Sequence, residues 1–275
     1  MANTGSFVGV RNTGIFYEYW LAEQPKAVVV VSHGYSEHSG RYRHVIDALV
    51  NANYNVWALD HRGHGRSEGN RAAPDDFEDF VADLAQFIRM VRQHSGKLDI
   101  FLLGHSMGGL ISALYAYDYQ HNLKGLILSG PAFRIGEDSP KALVAISGLV
   151  SRLAPNVEIQ PFDPSYNSRD PKVVQAFRDD KLNYHGGVKA RMAREMLTAS
   201  QYALANAHKL TIPVLMLQGE QDKLVVPSGG YEAFAAFKSS DKTLKKYPDA
   251  FHEVLNEPEQ AEIIPFMITW LDQHL

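Results

Sequence analysis

The hydrophobic pattern of the first sixty residues alternates between short apolar runs and a helical stretch. Residues 27–32 form a β-branched run that is too short for a helix and apolar on both faces, which predicts a central parallel strand. A similar run at 54–59 follows a stretch at 42–53 whose apolar residues recur at helical spacing. Together these three segments predict a β-α-β unit.

The same alternation continues along the chain. Further helices are predicted at 77–93 and 107–117, and further strands at 100–103, 123–129, 214–217 and 243–247. Near the start, residues 6–10 and 15–20 flank an Asn and a Gly that suit a hairpin turn. Strands that alternate with helices predict an α/β protein with a mostly parallel central sheet, helices on both faces and an antiparallel edge.

A long segment between two of the later strands contains no strand pattern of comparable strength. Its helical pattern comes in pieces separated by prolines, which lack an N–H and disfavour helix in the residue before them. The sequence therefore predicts a helical cap at 131–205. This cap is inserted into a core made of residues 1–130 and 206–275.

The most apolar stretch of the protein lies in this predicted cap, at residues 142–150. It has roughly half of the ~20 residues that a membrane-spanning helix needs, so a transmembrane interpretation fails. Two interpretations are left open. The stretch is either a helix buried against the core or a lid whose outer face contacts lipid.

Composition and charge exclude several classes of function. The 27 Lys and Arg residues against 31 Asp and Glu give a formal charge of −4. Without a cluster of basic residues, nucleic acid is not an expected partner. The chain has no cysteine, which excludes disulfides, thiol nucleophiles and Cys-ligated metals. The N-terminal residues do not have the pattern of a secretory signal, so we expect a cytoplasmic protein.

Candidate chemistry lies first at 104–109, where Gly-His-Ser-Met-Gly-Gly follows a predicted strand and begins a predicted helix. In a G-x-S-x-G turn the glycines relieve crowding around a serine at a sharp strand-to-helix bend, which leaves its hydroxyl exposed. This predicts Ser106 as a nucleophile. The N–H of Met107, at the helix N-terminus, is then a donor to the oxyanion. The alternative is a chance match in a helix-capping turn.

A serine nucleophile needs a histidine base and a carboxylate that orients it. In open α/β sheets, ligands bind beyond the carboxyl ends of the strands, and the chain order of such a triad is serine, acid, histidine. Asp222 and His252 each lie in a loop after a predicted strand and satisfy this order. Glu220 and Asp249 are competing acids, the first close to its strand end and the second only three residues before the histidine.

The loop after the central strand offers the second oxyanion donor. Gly34 permits a tight turn that would direct the N–H of Tyr35 at the nucleophile. Glu37 and Arg41 bring charge to the mouth of an otherwise apolar acyl pocket, where they could bind a polar head group. Alternatively, these two side chains pair with each other and only shape the loop.

His61 and His64 form an H-x-x-H pair in the loop at 60–69. A metal site needs more ligands than this, and neither a cysteine nor another obvious ligand is nearby, so we predict no metal. The glycines of this loop instead predict a tight structural turn in which Asp60 and Arg62 bind backbone groups.

Five segments carry a resemblance to a known family: H-G-Y-S-E-H-S-G-R-Y at 33–42, D-H-R-G-H-G-R-S-E-G at 60–69, G-H-S-M-G-G at 104–109, G-E-Q-D at 219–222 and F-H-E at 251–253. The chain resembles the α/β-hydrolase superfamily and, within it, the monoacylglycerol lipases. The serine motif is shared by many hydrolases, whereas E-H-S-G-R-Y is far more specific to this family. The resemblance spans nearly the whole chain.

The resemblance implies an α/β-hydrolase fold with a mobile cap that contains an apolar tunnel for an acyl chain. It implies a set of site residues, namely the triad Ser106, Asp222 and His252, the oxyanion amides of Tyr35 and Met107, and Glu37 and Arg41 near the glycerol. One departure is Ser36, where family members often carry glycine or another small residue.

The implied activity is hydrolysis of a monoacylglycerol to a fatty acid and glycerol through an acyl-enzyme, with no cofactor and no metal. Peripheral contact of the cap with a membrane is a separate hypothesis, which is motivated by the apolar stretch at 142–150. Two alternatives within the same fold are a lysophospholipase and a general carboxylesterase. A third alternative, from a different class, is a ligand-binding protein that does not catalyse.

Overall fold

The computed structural model describes residues 2–135 and 150–275. The apolar stretch predicted at 142–150 therefore lies outside the described residues, apart from its last residue.

Strands make up the centre of the molecule. The described residues contain ten of them: β1 (Asn3–Val8), β2 (Gly14–Trp20), β3 (Ala27–Ser32), β4 (Tyr54–Leu59), β5 (Ile100–His105), β6 (Gly125–Ser129), β7 (Glu158–Gln160), β8 (Val188–Lys189), β9 (Val214–Gly219) and β10 (Lys242–Tyr247). Eight of these form one sheet in the order β1-β2-β4-β3-β5-β6-β9-β10. Neighbours from β4 to β10 pair in parallel, whereas β1 with β2 and β2 with β4 pair antiparallel.

Helices cover the sheet. They are α1 (Arg43–Asn51), α2 (Glu78–Ser95), α3 (Met107–Tyr119), α4 (Pro171–Asp179), α5 (Ala190–Asn206), α6 (Pro227–Ala236) and α7 (Gln260–Gln273). Within residues 2–135 and 150–275, none of the helices has the length and the apolar character needed to cross a membrane.

The central strand β3 shows why the sheet is covered on both faces. Val28 and Val30 pack into one apolar cluster with α2, α3, α5 and α6. Val29 and Val31 point the other way and pack into a second cluster with α1 and α7. Side chains of a strand alternate between the two faces, so a run of β-branched residues can be buried only when both faces are covered. The predicted mostly parallel sheet with helices on both faces and an antiparallel edge is confirmed.

Most predicted elements begin and end within about three residues of the observed ones. Strand β6 starts two residues later than predicted, because the N–H of Leu123 bonds to the carbonyl of Gln120 in a short 3-10 turn and not to a neighbouring strand. Helix α1 starts at Arg43, since the preceding residues form another 3-10 turn.

The described part of the predicted cap contains α4, α5 and a short ribbon of β7 paired with β8. Helix α5 packs into the first apolar cluster, and two further contacts with the rest of the chain are hydrogen bonds. The N–H of Tyr184 donates to the carbonyl of Ser36 (2.8 Å), and the hydroxyl of Tyr35 donates to the carbonyl of Gly187 (3.3 Å). Both bonds reach the loop that follows β3. The division of the chain into a core and a cap at 131–205 stays a prediction.

The packing of the sheet leads to a test of stability. Leu102, on β5, is fully buried in the cluster with α2 and α3. We expect Leu102→Ala to lower the free energy of unfolding by about 2–5 kcal/mol, because it removes buried methyl groups and leaves a cavity. Urea unfolding followed by circular dichroism measures this loss. Leu153→Ala is the matched control, since that side chain is 77% exposed and its removal should change stability by less than about 0.5 kcal/mol. Equal effects of the two changes would contradict the packing described.

Candidate active site

Ser106 lies alone between a strand and a helix. Strand β5 ends at His105 and α3 begins at Met107, so the chain turns through one residue. Ser106 has φ 53° and ψ −118°. A positive φ costs a non-glycine residue about 1–3 kcal/mol and persists only where the surroundings impose it. The sequence thus places its hydroxyl at a strained bend, as a G-x-S-x-G turn requires.

The backbone of Ser106 is held by three hydrogen bonds. Its N–H donates to the carbonyl of Ser129 (3.0 Å), and its carbonyl accepts from the N–H groups of Leu110 (3.1 Å) and Ala132 (3.0 Å). The strain is therefore balanced by α3 on one side and by the loop after β6 on the other.

The two glycines of the motif are needed for space. A Cβ on Gly104 would lie 2.5 Å from the carbonyl oxygen of Gly108, and a Cβ on Gly108 would lie 2.1 Å from the carbonyl oxygen of Ser32. Both distances are too short for a real contact. The strand and the helix approach each other this closely only because neither residue has a side chain.

The structure brings together the three residues predicted as a triad. The Nε2 atom of His252 lies 2.8 Å from Oγ of Ser106, and its Nδ1 lies 2.7 Å from Oδ2 of Asp222. Asp222 follows β9, and His252 lies in the loop after β10. The competing acids lie elsewhere, because Glu220 is next to Lys246 and Asp249 is exposed.

Asp222 is oriented by its own loop. Its Oδ1 accepts hydrogen bonds from the N–H groups of Leu224 (2.9 Å) and Val225 (3.0 Å), which leaves Oδ2 for the histidine. The side chain is fully buried. A buried carboxylate with all of these partners is held in one rotamer, so it also fixes the direction of the imidazole ring.

The pKa values of two neighbouring histidines move in opposite directions. Burial lowers the pKa of His252, but the charges of Asp222, Glu253 and Glu37 outweigh it, so the pKa lies above the ordinary 6.5. Burial and then the charge of His252 lower the pKa of His105 to about 4. Near neutral pH, His105 is therefore neutral, whereas the charges beside His252 favour its protonated form.

The loop after β3 touches the serine. A Cβ on Gly34 would lie 3.2 Å from Cβ of Ser106, so there is no room for a side chain between them. Tyr35 comes next in the chain. Within the described ranges, neither its N–H nor that of Met107 has a hydrogen-bond acceptor. An oxyanion needs N–H donors that are not already bonded, so the assignment of these two N–H groups as its donors stays a prediction.

Glu37 and Arg41 are paired with each other. Oε2 of Glu37 accepts from Nη1 of Arg41 (2.6 Å), while its Oε1 accepts from the N–H of Gly34 (2.6 Å) and the hydroxyl of Tyr42 (2.7 Å). Glu37 is buried, and the side chain of Arg41 is 10% exposed. These contacts fit the alternative in which the pair shapes the loop, and they leave little for a head group to bind.

Glu253 is the second partner of Arg41, and it was not among the residues predicted from the sequence. The guanidinium donates to both oxygens of Glu253, at 2.6 and 2.8 Å. The F-H-E segment contained the signal, since a glutamate directly after His252 in an otherwise apolar loop needs a cation if it is to be buried.

The H-x-x-H loop has structural contacts. Within residues 2–135 and 150–275, no three His, Cys, Asp or Glu residues are arranged to hold a metal ion. His61 is hydrogen-bonded to the hydroxyl of Ser32 (2.8 Å), and Nδ1 of His64 donates to the carbonyl of Arg62 (2.9 Å). The carboxylate of Asp60 accepts hydrogen bonds from backbone N–H groups of its own loop and of the loop after β3. These bonds link the two loops.

Comparison with known proteins identifies the family of the chain. A model of the serine aminopeptidase S33 family matches residues 23–259. A monoacylglycerol lipase of Mycolicibacterium smegmatis is 38% identical over 271 residues, 98% of this chain and 97% of its own. A monoglyceride lipase of Homo sapiens is 36% identical over 94% of this chain and 87% of its own.

A solved structure shows the same likeness. The crystal structure of a monoacylglycerol lipase from Paleococcus ferrophilus matches with a TM-score of 0.84 at 29% identity, covering 95% of this chain and 99% of that one. The resemblance carried by the five sequence segments is thereby confirmed. The chain belongs to the serine aminopeptidase S33 family of α/β-hydrolases and is related within it to these lipases.

Proposed function

We propose that this protein hydrolyses monoacylglycerols to a fatty acid and glycerol, with Ser106 as nucleophile, His252 as base and Asp222 as the acid that orients the base. The observation that carries the proposal is the chain of hydrogen bonds from Asp222 through His252 to the hydroxyl of Ser106. The substrate class is supported by relatives named as lipases of this kind.

Acylation begins when His252 accepts the proton of the Ser106 hydroxyl as Oγ attacks the ester carbonyl carbon. The carbonyl oxygen becomes negative and accepts hydrogen bonds from the N–H groups of Tyr35 and Met107. Asp222 stabilises the imidazolium. When the tetrahedral intermediate collapses, the C–O bond to glycerol breaks and His252 passes its proton to the departing glycerol oxygen.

Deacylation uses water in place of the serine. His252 removes a proton from water as its oxygen attacks the acyl carbonyl, and the same two N–H groups stabilise the second oxyanion. The intermediate expels Oγ of Ser106, which recovers its proton from His252. The products are a fatty acid and the original enzyme, so the cycle uses only water and groups of this chain.

An apolar acyl chain suits the surroundings of the loop after β3. The ring of Tyr35 lies 6.1 Å from that of Phe162 and 6.3 Å from that of Tyr184. Phe162 in turn contacts Phe177 at 5.8 Å. These aromatic rings belong to the predicted cap, apart from Tyr35. They support a cap that covers an acyl chain close to the oxyanion donors.

The substrate is tested with a panel of esters of one acyl chain. We expect kcat/KM to be highest for the monoacylglycerol, compared with di- and triacylglycerol, lysophosphatidylcholine and the nitrophenyl ester. Ser106→Ala should lower kcat by at least ~10³ while the protein still folds, because the hydroxyl acts only in the reaction.

Other outcomes of this panel would overturn parts of the proposal. A higher kcat/KM for the lysophospholipid would indicate a lysophospholipase. An equal kcat/KM for the nitrophenyl ester would indicate a general carboxylesterase. Labelling of Ser106 by a fluorophosphonate without turnover of any ester would indicate a ligand-binding protein.

The raised pKa of His252 gives a pH dependence. Only the neutral imidazole accepts the serine proton, so kcat/KM should fall as the pH decreases through an apparent pKa above 6.5. Asp222→Asn removes the charge that raises this pKa and should move the acid limb to lower pH, with kcat reduced about 10⁴-fold. Rates on a neutral ester measure both effects. Glu220→Gln, which removes an exposed charge from the same loop, is the control. An acid limb that stays in place in Asp222→Asn would contradict the assignment.

Contact with a membrane surface is supported by exposed apolar side chains in the described part of the predicted cap. Leu153 is 77% exposed, Val157 50% and Ile159 46%. We expect the protein to float with phosphatidylcholine vesicles, and replacement of all three residues by serine to abolish flotation. Leu21→Ser is the control, because Leu21 is an exposed leucine outside the predicted cap. Flotation that survives the triple replacement would remove this surface from consideration.

A further inference from the structure

The guanidinium of Arg41 lies between two buried carboxylates from distant parts of the chain. Nη1 is 2.6 Å from Glu37 and also 2.6 Å from Glu253, and Nη2 is 2.8 Å from the second oxygen of Glu253. The three side chains are 10%, 3% and 5% exposed. Glu37 and Arg41 follow β3, whereas Glu253 follows β10. This ion triad therefore joins two loops that meet at the active site.

Each end of the triad adjoins a group with a proposed role in the reaction. Glu37 accepts a hydrogen bond from the N–H of Gly34, the residue before the proposed oxyanion donor Tyr35. Glu253 directly follows His252. Displacement of either carboxylate would move the backbone on which a reacting group depends. A misplacement of about 1 Å at such a position can cost ~10²-fold in rate.

Glu253 is held from three sides. Besides the two bonds from Arg41, its carboxylate accepts from Nδ2 of Asn256 (2.8 Å), and its N–H donates to the carbonyl of Asn167 (2.7 Å). The guanidinium also stacks against the ring of Phe177, 4.9 Å from its centre. A paired and buried charge of this kind has one geometry, because any other leaves a charge without a partner.

The ion triad also places negative charge near His252. Burial raises the pKa of Glu37, but the charge of Arg41 outweighs it and the pKa ends below its usual value, so this carboxylate is ionised. Two carboxylates and one guanidinium leave an excess negative charge. The groups that face His252 are Asp222, Glu253, Glu37 and the neutral His105.

We propose that Glu253, bound by Arg41, is a positioning residue that holds the loop of His252 in place against the oxyanion loop. The inference rests on the proposed function, since it assigns His252 and Tyr35 their roles. It replaces the head-group role that the sequence suggested for Glu37 and Arg41. In this arrangement neither Glu253 nor Arg41 touches the substrate.

Glu253→Gln tests the proposal, because the amide keeps the shape of the side chain and removes its charge. We expect kcat to fall roughly tenfold to hundredfold with KM changed less than about twofold, on both the monoacylglycerol and the nitrophenyl ester of the same acyl chain. The acid limb of kcat/KM should also move to lower pH, since a negative charge near His252 is lost. Asp249→Asn, at an exposed acid three residues before His252, should change neither quantity.

Arg41→Lys separates geometry from charge. Lysine keeps the positive charge but cannot bind both oxygens of Glu253, so we expect a similar loss of kcat on both esters with the acid limb in place. A head-group role would instead raise KM for the glycerol ester alone. That result, or an unchanged kcat in both variants, would overturn the proposal.

Thermal unfolding distinguishes these effects from loss of the fold. If Glu253→Gln does not fold, Glu253→Asp keeps the charge on a shorter side chain and should lower kcat without moving the acid limb; an unchanged kcat would contradict the proposal.

The rate of fluorophosphonate labelling of Ser106 is a further readout, because it depends on activation by His252 and not on the natural substrate. If the parent protein labels rapidly but hydrolyses no monoacylglycerol, the substrate assignment fails. The labelling rates of the variants then test the positioning role: slower labelling than in the parent protein supports it, and an unchanged rate contradicts it.

Discussion

The arrangement of the site depends on one unfavourable backbone conformation. The chain passes from β5 into α3 through Ser106 alone, with a φ that a residue with a side chain rarely adopts. A longer connection would relax the bend and lower the hydroxyl into the turn. The strain is tolerated because the strand before it is buried on both faces and the helix after it packs on the sheet. The packing of the sheet and its helices therefore offsets the backbone strain at Ser106.

Burial then determines the electrostatics. The carboxylates and histidines around Ser106 are almost all hidden from water, where an unpaired charge is costly. Each charged group consequently has a defined partner, and the pKa of each histidine follows from burial and from the charges beside it. His252 faces the carboxylate of Asp222 and has a raised pKa, whereas burial and then the charge of His252 lower the pKa of the adjoining His105. Two imidazoles in contact thus differ in how readily they take up a proton.

The fold was predictable wherever the hydrophobic pattern of the sequence matches the burial of the same residues in the structure. The bounds of β3 and β4 follow from β-branched and aromatic runs that no helix would contain. The ribbon of β7 and β8 was not predictable from the sequence. Its strands have only three and two residues, and their side chains are exposed or half-exposed, so they show no alternation of buried and exposed positions. The order of serine, acid and histidine, together with their positions after predicted strands, pointed to three residues that the structure brings into contact, although it left two other acids open. The environment of Arg41 was not predictable, since its second partner comes from 212 positions away and only tertiary structure decides which carboxylate a long side chain reaches.

The hydrogen bond from Tyr184 to Ser36 has a consequence for access. Ser36 itself has a positive φ, and its carbonyl is held by a segment of the predicted cap. Any movement that withdraws this segment to admit or release a lipid must break that bond beside the oxyanion loop. One hydrogen bond therefore links the position of this segment to the backbone conformation of the loop that follows β3.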